Sequence, residues 1–322
     1  DMTELVAEVG LAHEGSLGIA HSYIDICSAI GIDTIKFQMH ISEAESSLKE
    51  QFRIPFSYAD KNRYSYWERT SFDFSEWLML KKHCDFKNIN FLVSAFSIEA
   101  LEQIKKLGCK RIKLGSAETI DPLIVNEASR RSFDMILSNG FAGDNIFNII
   151  SGIKINNKLT ILECISEYPS SIKDFNLKRF SNLKEIKDIN VGLSDHSSST
   201  HLSKYLISIG VDMIEAHIVF NKSMFGPDSS SSLEINQWED LISFRNDIES
   251  IEPDIKKLAN KEIKQVFSRS LTYRRDIKKG EKISSTDFES TKYNGEGIST
   301  NKYRNFINKI LAKTVKKRNL VK

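Results

Sequence analysis

The amino-acid sequence predicts an α/β fold: a (β/α)8 TIM barrel followed by a small β-rich domain. Three observations predict it: eight short apolar, β-branched runs, helical stretches between them, and a change of pattern near residue 250. Strands that alternate with helices favour a parallel sheet, and eight is the number that closes a barrel. A doubly wound open sheet is the competing fold, but residues 10–15 lack the glycine-rich phosphate turn that it places after its first strand.

The predicted strands cover residues 5–9, 34–37, 90–93, 111–114, 135–137, 159–164, 190–193 and 213–216. Helices are predicted at 19–30, 98–107, 145–153 and 201–209, and the first and last carry apolar residues at helical spacing. Gly31, Gly108 and Gly210 follow three of these helices, where the left-handed conformation that ends a helix costs glycine least. The element order therefore places a barrel in residues 1–250.

Two segments depart from this alternation. Residues 40–85 connect the second and third strands, and their first part, to residue 70, is polar and is expected to be irregular. Such a long connection on a barrel is usually functional, so it is a candidate lid. A final helix at 235–250 leads into residues 251–267, which are predicted to be a linker, and residues 268–322 are predicted to form the small β-rich domain.

Composition excludes several classes of function. The chain has 322 residues, 40% of them hydrophobic, and a net charge of +2, which gives no overall field to attract nucleic acid or a membrane. No apolar run approaches the ~18 residues of a membrane span, and the first residues lack a basic leader. The four cysteines have no paired or metal-like spacing. We therefore expect a soluble cytoplasmic protein that binds neither nucleic acid nor membrane.

Polar side chains stand at the carboxyl end of every predicted strand. These ends meet around one axis in a barrel, at the face where barrel enzymes keep their chemistry. Two lysines and five serines among them suit a small phosphorylated and carboxylated anion, because ammonium groups offset its charge and hydroxyls donate hydrogen bonds. The set comprises Glu8, Lys36, Gln38, Ser94, Lys113, Ser116, Ser138, Ser166, Tyr168, Ser194, His196 and His217.

His196 and His217 are candidate ligands for a divalent metal. Each closes a run that is predicted to be a buried strand, and neutral imidazole is the commonest side-chain ligand for such ions. Two histidines alone fit core positions with satisfied hydrogen bonds at least as well. A carboxylate beside the pair makes the set suitable for a divalent Lewis acid.

Lys36 and Lys113 lie in runs that would otherwise be buried. Either residue alone fits a solvated or structural role as well as a binding role. A buried lysine, however, needs an anion beside it. Two lysines that face one axis therefore favour a bound oxyanion.

Seven motifs resemble those of the sialic acid synthases, the phosphoenolpyruvate-dependent synthases of nonulosonic acids. They occur in the family's order between residue 4 and about residue 235: AEVGLAHEGSL (7–17), IKFQ (35–38), IKLGSAE (112–118), ILSNG (136–140), SEYP (166–169), GLSDH (192–196) and GPD (226–228). The likeness returns in RDIKKGE (275–281), which is similar to the start of the family's antifreeze-like (SAF) C-terminal domain.

The resemblance implies a reaction and a role for each matched residue. The family joins the enol of phosphoenolpyruvate to the aldehyde of an open-chain N-acylated hexosamine, such as N-acetylmannosamine, and releases phosphate. The product is a nine-carbon 2-keto acid of the sialic, legionaminic or pseudaminic type. The residues that match the phosphoenolpyruvate site are Lys36, Ser94, Lys113, Ser116, Ser138 and Ser194, with Ser166 beside it. His196 and His217 match the metal ligands, normally for manganese and alternatively for magnesium or cobalt. The catalytic and sugar-side positions are matched by Glu8, Gln38, Glu118, Tyr168 and Asp228.

The chemistry of these side chains agrees with the implied roles. Lys36 and Lys113 would hold the phosphate and carboxylate so that the enol carbon faces the aldehyde. Glu8 is our choice for the carboxylate that stabilises the cation left after carbon–carbon bond formation and then deprotonates the attacking water. Tyr168 and Asp228 would hold the sugar.

Three positions depart from the family pattern. Ala12 stands where the family usually has asparagine, and Ser229 stands where it has a histidine. Tyr293 occupies the place of an arginine that, in the family, reaches the active site of the partner subunit and contacts the N-acyl group. The resemblance thus implies a domain-swapped homodimer with altered sugar recognition. The chain also ends soon after Lys317, which predicts a small domain shorter than the family's.

Two other functions remain as alternatives at this stage. A Schiff-base aldolase would use Lys36 or Lys113 as its nucleophile. A catalytically altered, sugar-binding relative of the synthases would account for Ala12 and Tyr293.

Overall fold

The computed structural model describes residues 2–54, 56–153, 158–251 and 261–322. The chain divides into two compact units, Asp1–Ile251 and Glu252–Lys322, each of which is described by itself. No helix in the described part of the chain is long and apolar enough to cross a lipid bilayer.

The first unit is a closed barrel of eight parallel strands. Each strand pairs with the next, and β8 pairs with β1, which closes the sheet. The strands are β1 (Glu4–Gly10), β2 (Thr34–Met39), β3 (Asn90–Ala95), β4 (Arg111–Leu114), β5 (Asp134–Ser138), β6 (Leu159–Cys164), β7 (Ile189–Asp195) and β8 (Met213–Val219). A short strand, β9 (Leu233–Glu234), runs parallel to β8. The predicted TIM barrel is confirmed.

Helices connect the strands as predicted, with ends that differ by a few residues. Gly31, Gly108 and Gly210 have φ values of 90°, 79° and 76°, so the predicted left-handed positions are present. The helices of this unit are α1 (Leu17–Ile30), α2 (Ser42–Glu45), α3 (Arg63–Thr70), α4 (Phe74–Lys87), α5 (Ile98–Lys106), α6 (Ser116–Thr119), α7 (Pro122–Arg130), α8 (Ile146–Gly152), α9 (Leu177–Lys184), α10 (His201–Ser208) and α11 (Ile235–Glu249).

The connection between β2 and β3 is more ordered than the sequence suggested. The expectation of an irregular segment up to residue 70 is wrong for α2 and α3. Asn62 begins α3 with a capping box, in which its side chain accepts from the Ser65 amide while Ser65 faces the Asn62 amide. Tyr66 and Trp67 are buried on α3, so the helix is stabilised by its cap and by packing. We call residues 40–73 the lid segment.

The period of two along a strand links the barrel core to the polar residues above it. Val6, Leu92, Ile136, Leu162 and Met213 form a buried apolar cluster of their own. Because side chains at i and i+2 point to the same face, the residues two positions later face the same interior one layer higher. Those residues are Glu8, Ser94, Ser138, Cys164 and Glu215.

The second unit has its own small core. Strands β10 (Arg269–Tyr273) and β11 (Phe288–Lys292) pair antiparallel, isolated bridges join further segments, and a helix, α12 (Lys261–Phe267), precedes them. Its buried residues are Leu271, Tyr273, Ile277, Ile283, Phe288 and Val321. Within the predicted linker at 251–267, Lys261–Phe267 is helical, and residues 252–260 lie outside the described residues. The antifreeze-like identity of this unit stays a prediction.

Gly192 in β7 provides a test of the barrel packing. A Cβ at this position would lie 2.4 Å from the Met213 carbonyl oxygen and 2.5 Å from Cδ2 of Leu162. Since neither neighbour can withdraw from the packed barrel, Gly192→Ala should lower the free energy of unfolding by ~1–3 kcal/mol. Urea unfolding followed by tryptophan fluorescence measures it, because Trp67, Trp77 and Trp238 all belong to the first unit.

Gly152→Ala is the matched control for this experiment. Gly152 is in α8, where an added Cβ meets no atom within 4 Å. Alanine also has a better helix propensity than glycine, so this variant should unfold at the same urea concentration as the parent or a higher one. Equal unfolding midpoints for Gly192→Ala and Gly152→Ala would contradict the packing argument.

Candidate active site

A cavity of about 470 Å³ lies at the carboxyl ends of the barrel strands. This volume is within the ~300–1,000 Å³ typical of pockets for small-molecule ligands. Every site residue predicted in the barrel lines it: Glu8, Lys36, Gln38, Ser94, Lys113, Ser116, Glu118, Ser138, Ser166, Tyr168, Ser194, His196, His217 and Asp228. The structure thus brings these residues to one place, while their individual roles remain predictions.

Strand register explains why these residues meet. Glu8 on β1 pairs with Lys36 on β2 and with His217 on β8. Ser94 on β3 pairs with both Gln38 and Lys113. Since paired residues in neighbouring strands lie side by side, residues from distant parts of the chain become neighbours as soon as the barrel closes.

Two buried carboxylates hold the two lysines. Lys36 Nζ lies 2.7 Å from Glu8 Oε2 and 3.5 Å from Glu215 Oε1, and Lys113 Nζ lies 2.7 Å from the same Glu215 oxygen. Each of the four side chains is 5% exposed or less. The sequence argument that buried lysines need an anion was therefore correct, but protein carboxylates already supply it.

Glu215 is the main residue that the sequence analysis missed. Its position between Met213 and His217 on β8 gives the same inward direction as the histidine, so strand alternation could have found it. Ser194 Oγ also donates to Glu215 Oε1, at 3.1 Å. Burial favours the protonated acid, but Lys113 and Lys36 outweigh it and hold the pKa of Glu215 below its ordinary value.

The protonation of the lysines follows from the same network. Burial lowers the pKa of Lys113, and the Glu215 carboxylate offsets this in part while the Lys36 charge adds to it. Burial acts on Lys36 as well, yet Glu215 and Glu8 together raise its pKa above the ordinary value. Lys36 is therefore the more firmly charged of the two.

Hydroxyl groups line the cavity next to Lys113. Ser116 Oγ accepts from the Gly140 amide at 3.1 Å, and Ser166 Oγ donates to Ser116 Oγ at 3.3 Å. A Cβ on Gly140 would lie 1.9 Å from Ser166 Oγ and 2.3 Å from Ser116 Oγ. Only glycine leaves room for this cradle of hydroxyls, which can donate to an anion.

His196 and His217 lie together at the ends of β7 and β8. Their ring centroids are 5.6 Å apart, and the Tyr168 ring lies 4.2 Å from that of His196. His196 Nδ1 is 3.1 Å from the Ile165 carbonyl oxygen. Burial, with the neighbouring His217, lowers the pKa of His196 to about 3, so this ring is neutral.

The lid segment supplies the outer wall of the cavity. The guanidinium carbon of Arg53 lies 4.3 Å above the Tyr168 ring, and Arg53 Nη2 is 3.6 Å from Asp228 Oδ1. Burial raises the pKa of Glu118, and the carboxylate of Glu45 raises it further. Arg53 and Glu45 were not among the predicted site residues, because the sequence gives no periodic pattern that orients side chains in this segment.

A chain of hydrogen bonds runs from the lid segment to Glu8. Gln38 Nε2 donates to Glu8 Oε1 at 2.7 Å, and Gln38 Oε1 is 3.1 Å from His40 Nε2. His40 Nδ1 is in turn 2.7 Å from Glu45 Oε1. His40, which also lines the cavity, was likewise missed.

Tyr293 belongs to the second unit, directly after β11. It is 37% exposed, and its hydroxyl donates to the Arg318 carbonyl oxygen at 3.3 Å. Because Tyr293 comes from the second unit, its assignment to the sugar site stays a prediction.

Comparison with known proteins agrees with the motifs. The family model described as the NeuB family matches residues 23–257. N,N'-diacetyllegionaminic acid synthase from Campylobacter jejuni is 30% identical over 99% of this chain and 99% of its own length. Pseudaminic acid synthase from Helicobacter pylori is 28% identical over 90% of this chain and 88% of its own length.

A solved structure agrees as well. The N-acetylneuraminic acid (sialic acid) synthetase from Leptospira borgpetersenii, crystallised in complex with citrate, superposes with a TM-score of 0.69 at 26% identity. The match covers 82% of this chain and 90% of that chain. The resemblance seen in the sequence is confirmed, and the chain belongs to the NeuB family, which includes synthases of legionaminic, pseudaminic and sialic acids.

Proposed function

We propose that the barrel cavity condenses phosphoenolpyruvate with the aldehyde of an open-chain N-acylated hexosamine similar to N-acetylmannosamine. The products are inorganic phosphate and a nine-carbon 2-keto sugar acid of the sialic, legionaminic or pseudaminic type. The observation that carries this proposal is the meeting of two buried lysines, a hydroxyl cradle and a histidine pair in one cavity. The acids named in the relatives from C. jejuni and H. pylori support it.

Phosphoenolpyruvate binds at the lysines and serines. Lys36 and Lys113 offer ammonium groups, and Ser94, Ser116, Ser138, Ser166 and Ser194 offer hydroxyl donors around them. Because Glu8 and Glu215 already hold the lysines in place, little side-chain entropy is lost when the ligand binds. Binding in this way positions the enol carbon of phosphoenolpyruvate for attack on the aldehyde.

A divalent metal, manganese first and magnesium or cobalt as alternatives, is part of the proposal. The residues fit it: Nδ1 of His196 can donate to the Ile165 carbonyl, which leaves the lone pair of Nε2 for a ligand. His217 would be the second ligand, and water and substrate would complete the coordination. When bound, the metal supplies a Lewis acid for the aldehyde oxygen.

Glu8 acts after the new carbon–carbon bond has formed. The enol carbon has then bonded to the aldehyde carbon, and the carbon that carries phosphate has become positively charged. The Glu8 carboxylate stabilises this cation and takes a proton from the water that attacks it. The tetrahedral adduct expels phosphate by cleavage of its carbon–oxygen bond, so the oxygen of the new ketone comes from water.

Tyr168, Asp228 and Glu118 form the sugar side of the cavity. Burial raises the pKa of Tyr168, so its hydroxyl stays a hydrogen-bond donor. Burial also raises the pKa of the Glu118 carboxyl group.

A Schiff-base aldolase is the second candidate, since burial lowers the pKa of Lys113 and favours the neutral, nucleophilic amine. The ion pair of Lys113 with Glu215 opposes it. Borohydride in the presence of substrate would trap a covalent adduct only for the aldolase. Phosphate release from phosphoenolpyruvate with a panel of N-acyl hexosamines tests the synthase, and no release with any of them would exclude it in favour of a sugar-binding relative.

Loss of one histidine should abolish both metal binding and turnover. We expect chelation to remove activity and manganese to restore it, and His217→Ala to lose manganese binding while the barrel still folds. Calorimetric titration with manganese and far-ultraviolet circular dichroism measure the two effects. His201→Ala, an exposed position on α10, is the control and should behave like the parent. Full activity in His217→Ala would contradict the assignment.

Isotope labelling tests the role of Glu8. In water labelled with ¹⁸O, the label should appear in the keto acid, and the released phosphate should remain unlabelled. Label in phosphate would mean attack at phosphorus instead. Glu8→Gln should reduce kcat by roughly 10²–10⁴-fold, as for loss of a general base, while phosphoenolpyruvate binding weakens far less.

The proposal includes a homodimer in which the second unit of one copy completes the sugar site of the other. Tyrosine lacks the charge and the forked donors of the arginine that the family has at position 293. Tyr293→Arg should therefore lower the KM for the sugar, on the order of tenfold for one charged hydrogen bond, and leave the KM for phosphoenolpyruvate unchanged. Analytical ultracentrifugation measures the dimer. Unchanged sugar kinetics in Tyr293→Arg together with a monomeric protein would contradict this part of the proposal.

A further inference from the structure

We infer that His40 and Glu45 form a positioning pair, which fixes the Glu8 carboxylate through the side-chain amide of Gln38. The inference rests on the proposed function, because Glu8 is assigned there to the reacting carbon. Neither His40 nor Glu45 contacts Glu8 directly in the chain of hydrogen bonds described above. Both act through Gln38.

The order of donors and acceptors in this chain is determined by its two ends. An ionised carboxylate accepts hydrogen bonds only, so the nitrogen of the Gln38 amide has to face Glu8. The amide oxygen then faces His40 Nε2, and an amide oxygen also accepts only. His40 Nε2 must therefore carry a proton.

The other ring nitrogen of His40 requires a further proton. His40 Nδ1 and Glu45 Oε1 are 2.7 Å apart, a distance at which two lone pairs would repel each other. One proton must lie between them, either as imidazolium with carboxylate or as imidazole with carboxylic acid. The pair thus holds one proton more than a neutral histidine beside an ionised glutamate.

Two aromatic side chains fix the plane of the His40 ring. The ring is stacked between Trp67, with ring centroids 4.5 Å apart, and Phe96, at 4.1 Å. In this plane Nδ1 faces Glu45 and Nε2 faces Gln38.

This arrangement couples the lid segment to the reacting centre. Glu45 is the last residue of α2, and three hydrogen bonds connect it to Glu8 through His40 and Gln38. Trp67 on α3 joins the same chain by stacking on His40. Without the proton on His40 Nε2, the Gln38 amide oxygen would face a lone pair, so the orientation in which Gln38 donates to Glu8 would be less stable. The expected result is a fall in kcat with little change in the KM for phosphoenolpyruvate.

Two substitutions of His40 separate positioning from simple packing. Glutamine can place an amide N–H near the position of Nε2, whereas asparagine reaches only the position of Nδ1. We expect His40→Asn to lower kcat by roughly 10–100-fold, the scale of a misplaced catalytic group, and His40→Gln to retain most of the kcat of the parent. Equal losses in the two variants, or no loss in either, would overturn the inference.

Glu45→Gln tests the charge of the pair, with Glu43→Gln on the same helix as its exposed control. A glutamine at position 45 keeps the size of the side chain but removes its negative charge. We therefore expect kcat to fall in Glu45→Gln and to stay at the value of the parent in Glu43→Gln, with the KM for phosphoenolpyruvate unchanged in both. Equal kcat values in the two variants would overturn the role of the charge. This comparison also decides the matter if His40→Asn does not fold.

Nitrogen-15 NMR of labelled histidine gives a measurement that needs no turnover. The His40 signals are assigned by their loss in His40→Gln, and we expect a protonated Nε2 in the substrate-free protein. An Nδ1–H tautomer with a bare Nε2 would overturn the inference. If the parent protein releases no phosphate from phosphoenolpyruvate, the proposed function fails, and the NMR result still supports or overturns the pair.

Discussion

The cluster of Glu8, Lys36, Lys113 and Glu215 is the interaction on which the site depends. A single charge buried in a barrel costs several kcal/mol, and removing one partner of a buried pair leaves the other uncompensated. Here two ammonium and two carboxylate groups lie together in the barrel interior, and each has an opposite charge within 3.5 Å. Replacement of any one of the four side chains would therefore leave a buried charge without full compensation.

Their charges also decide what a ligand requires. The two positive and two negative groups sum to zero, so the lysines do not by themselves neutralise a phosphorylated carboxylic acid. For such a ligand, the remaining compensation would come from hydroxyl donors, such as Ser116 and Ser166, and, in the proposed function, from a divalent cation at the histidine pair. This charge balance gives the serines and the two histidines around the lysines a role in binding an anionic ligand.

The barrel and its polar layer could be predicted because strand geometry is regular. The period of two places Glu8 above Val6 and Ser94 above Leu92, and parallel pairing brings these ends around one axis. Glu215 obeys the same rule, since it lies two residues after Met213 and two before His217 on β8. The lid could not be predicted in this way. The helix at α3 depends on the cap at Asn62 and on burial of Tyr66 and Trp67, which are tertiary effects.

The strand ends and the lid segment therefore suit different tasks in the site. Strand ends are held by the sheet, so they suit chemistry that tolerates little displacement. The lid segment contributes longer side chains, and Arg53, which is 43% exposed, contacts Tyr168 and Asp228 without a tight ion pair. Discrimination between sugars that differ by an acyl or methyl group amounts to only ~1–3 kcal/mol, a difference that one such contact can supply. In the proposed reaction, Arg53 would therefore contribute to the choice of hexosamine beside Tyr168 and Asp228. The hydrogen bonds from Glu45 through His40 and Gln38 connect the same lid segment to Glu8.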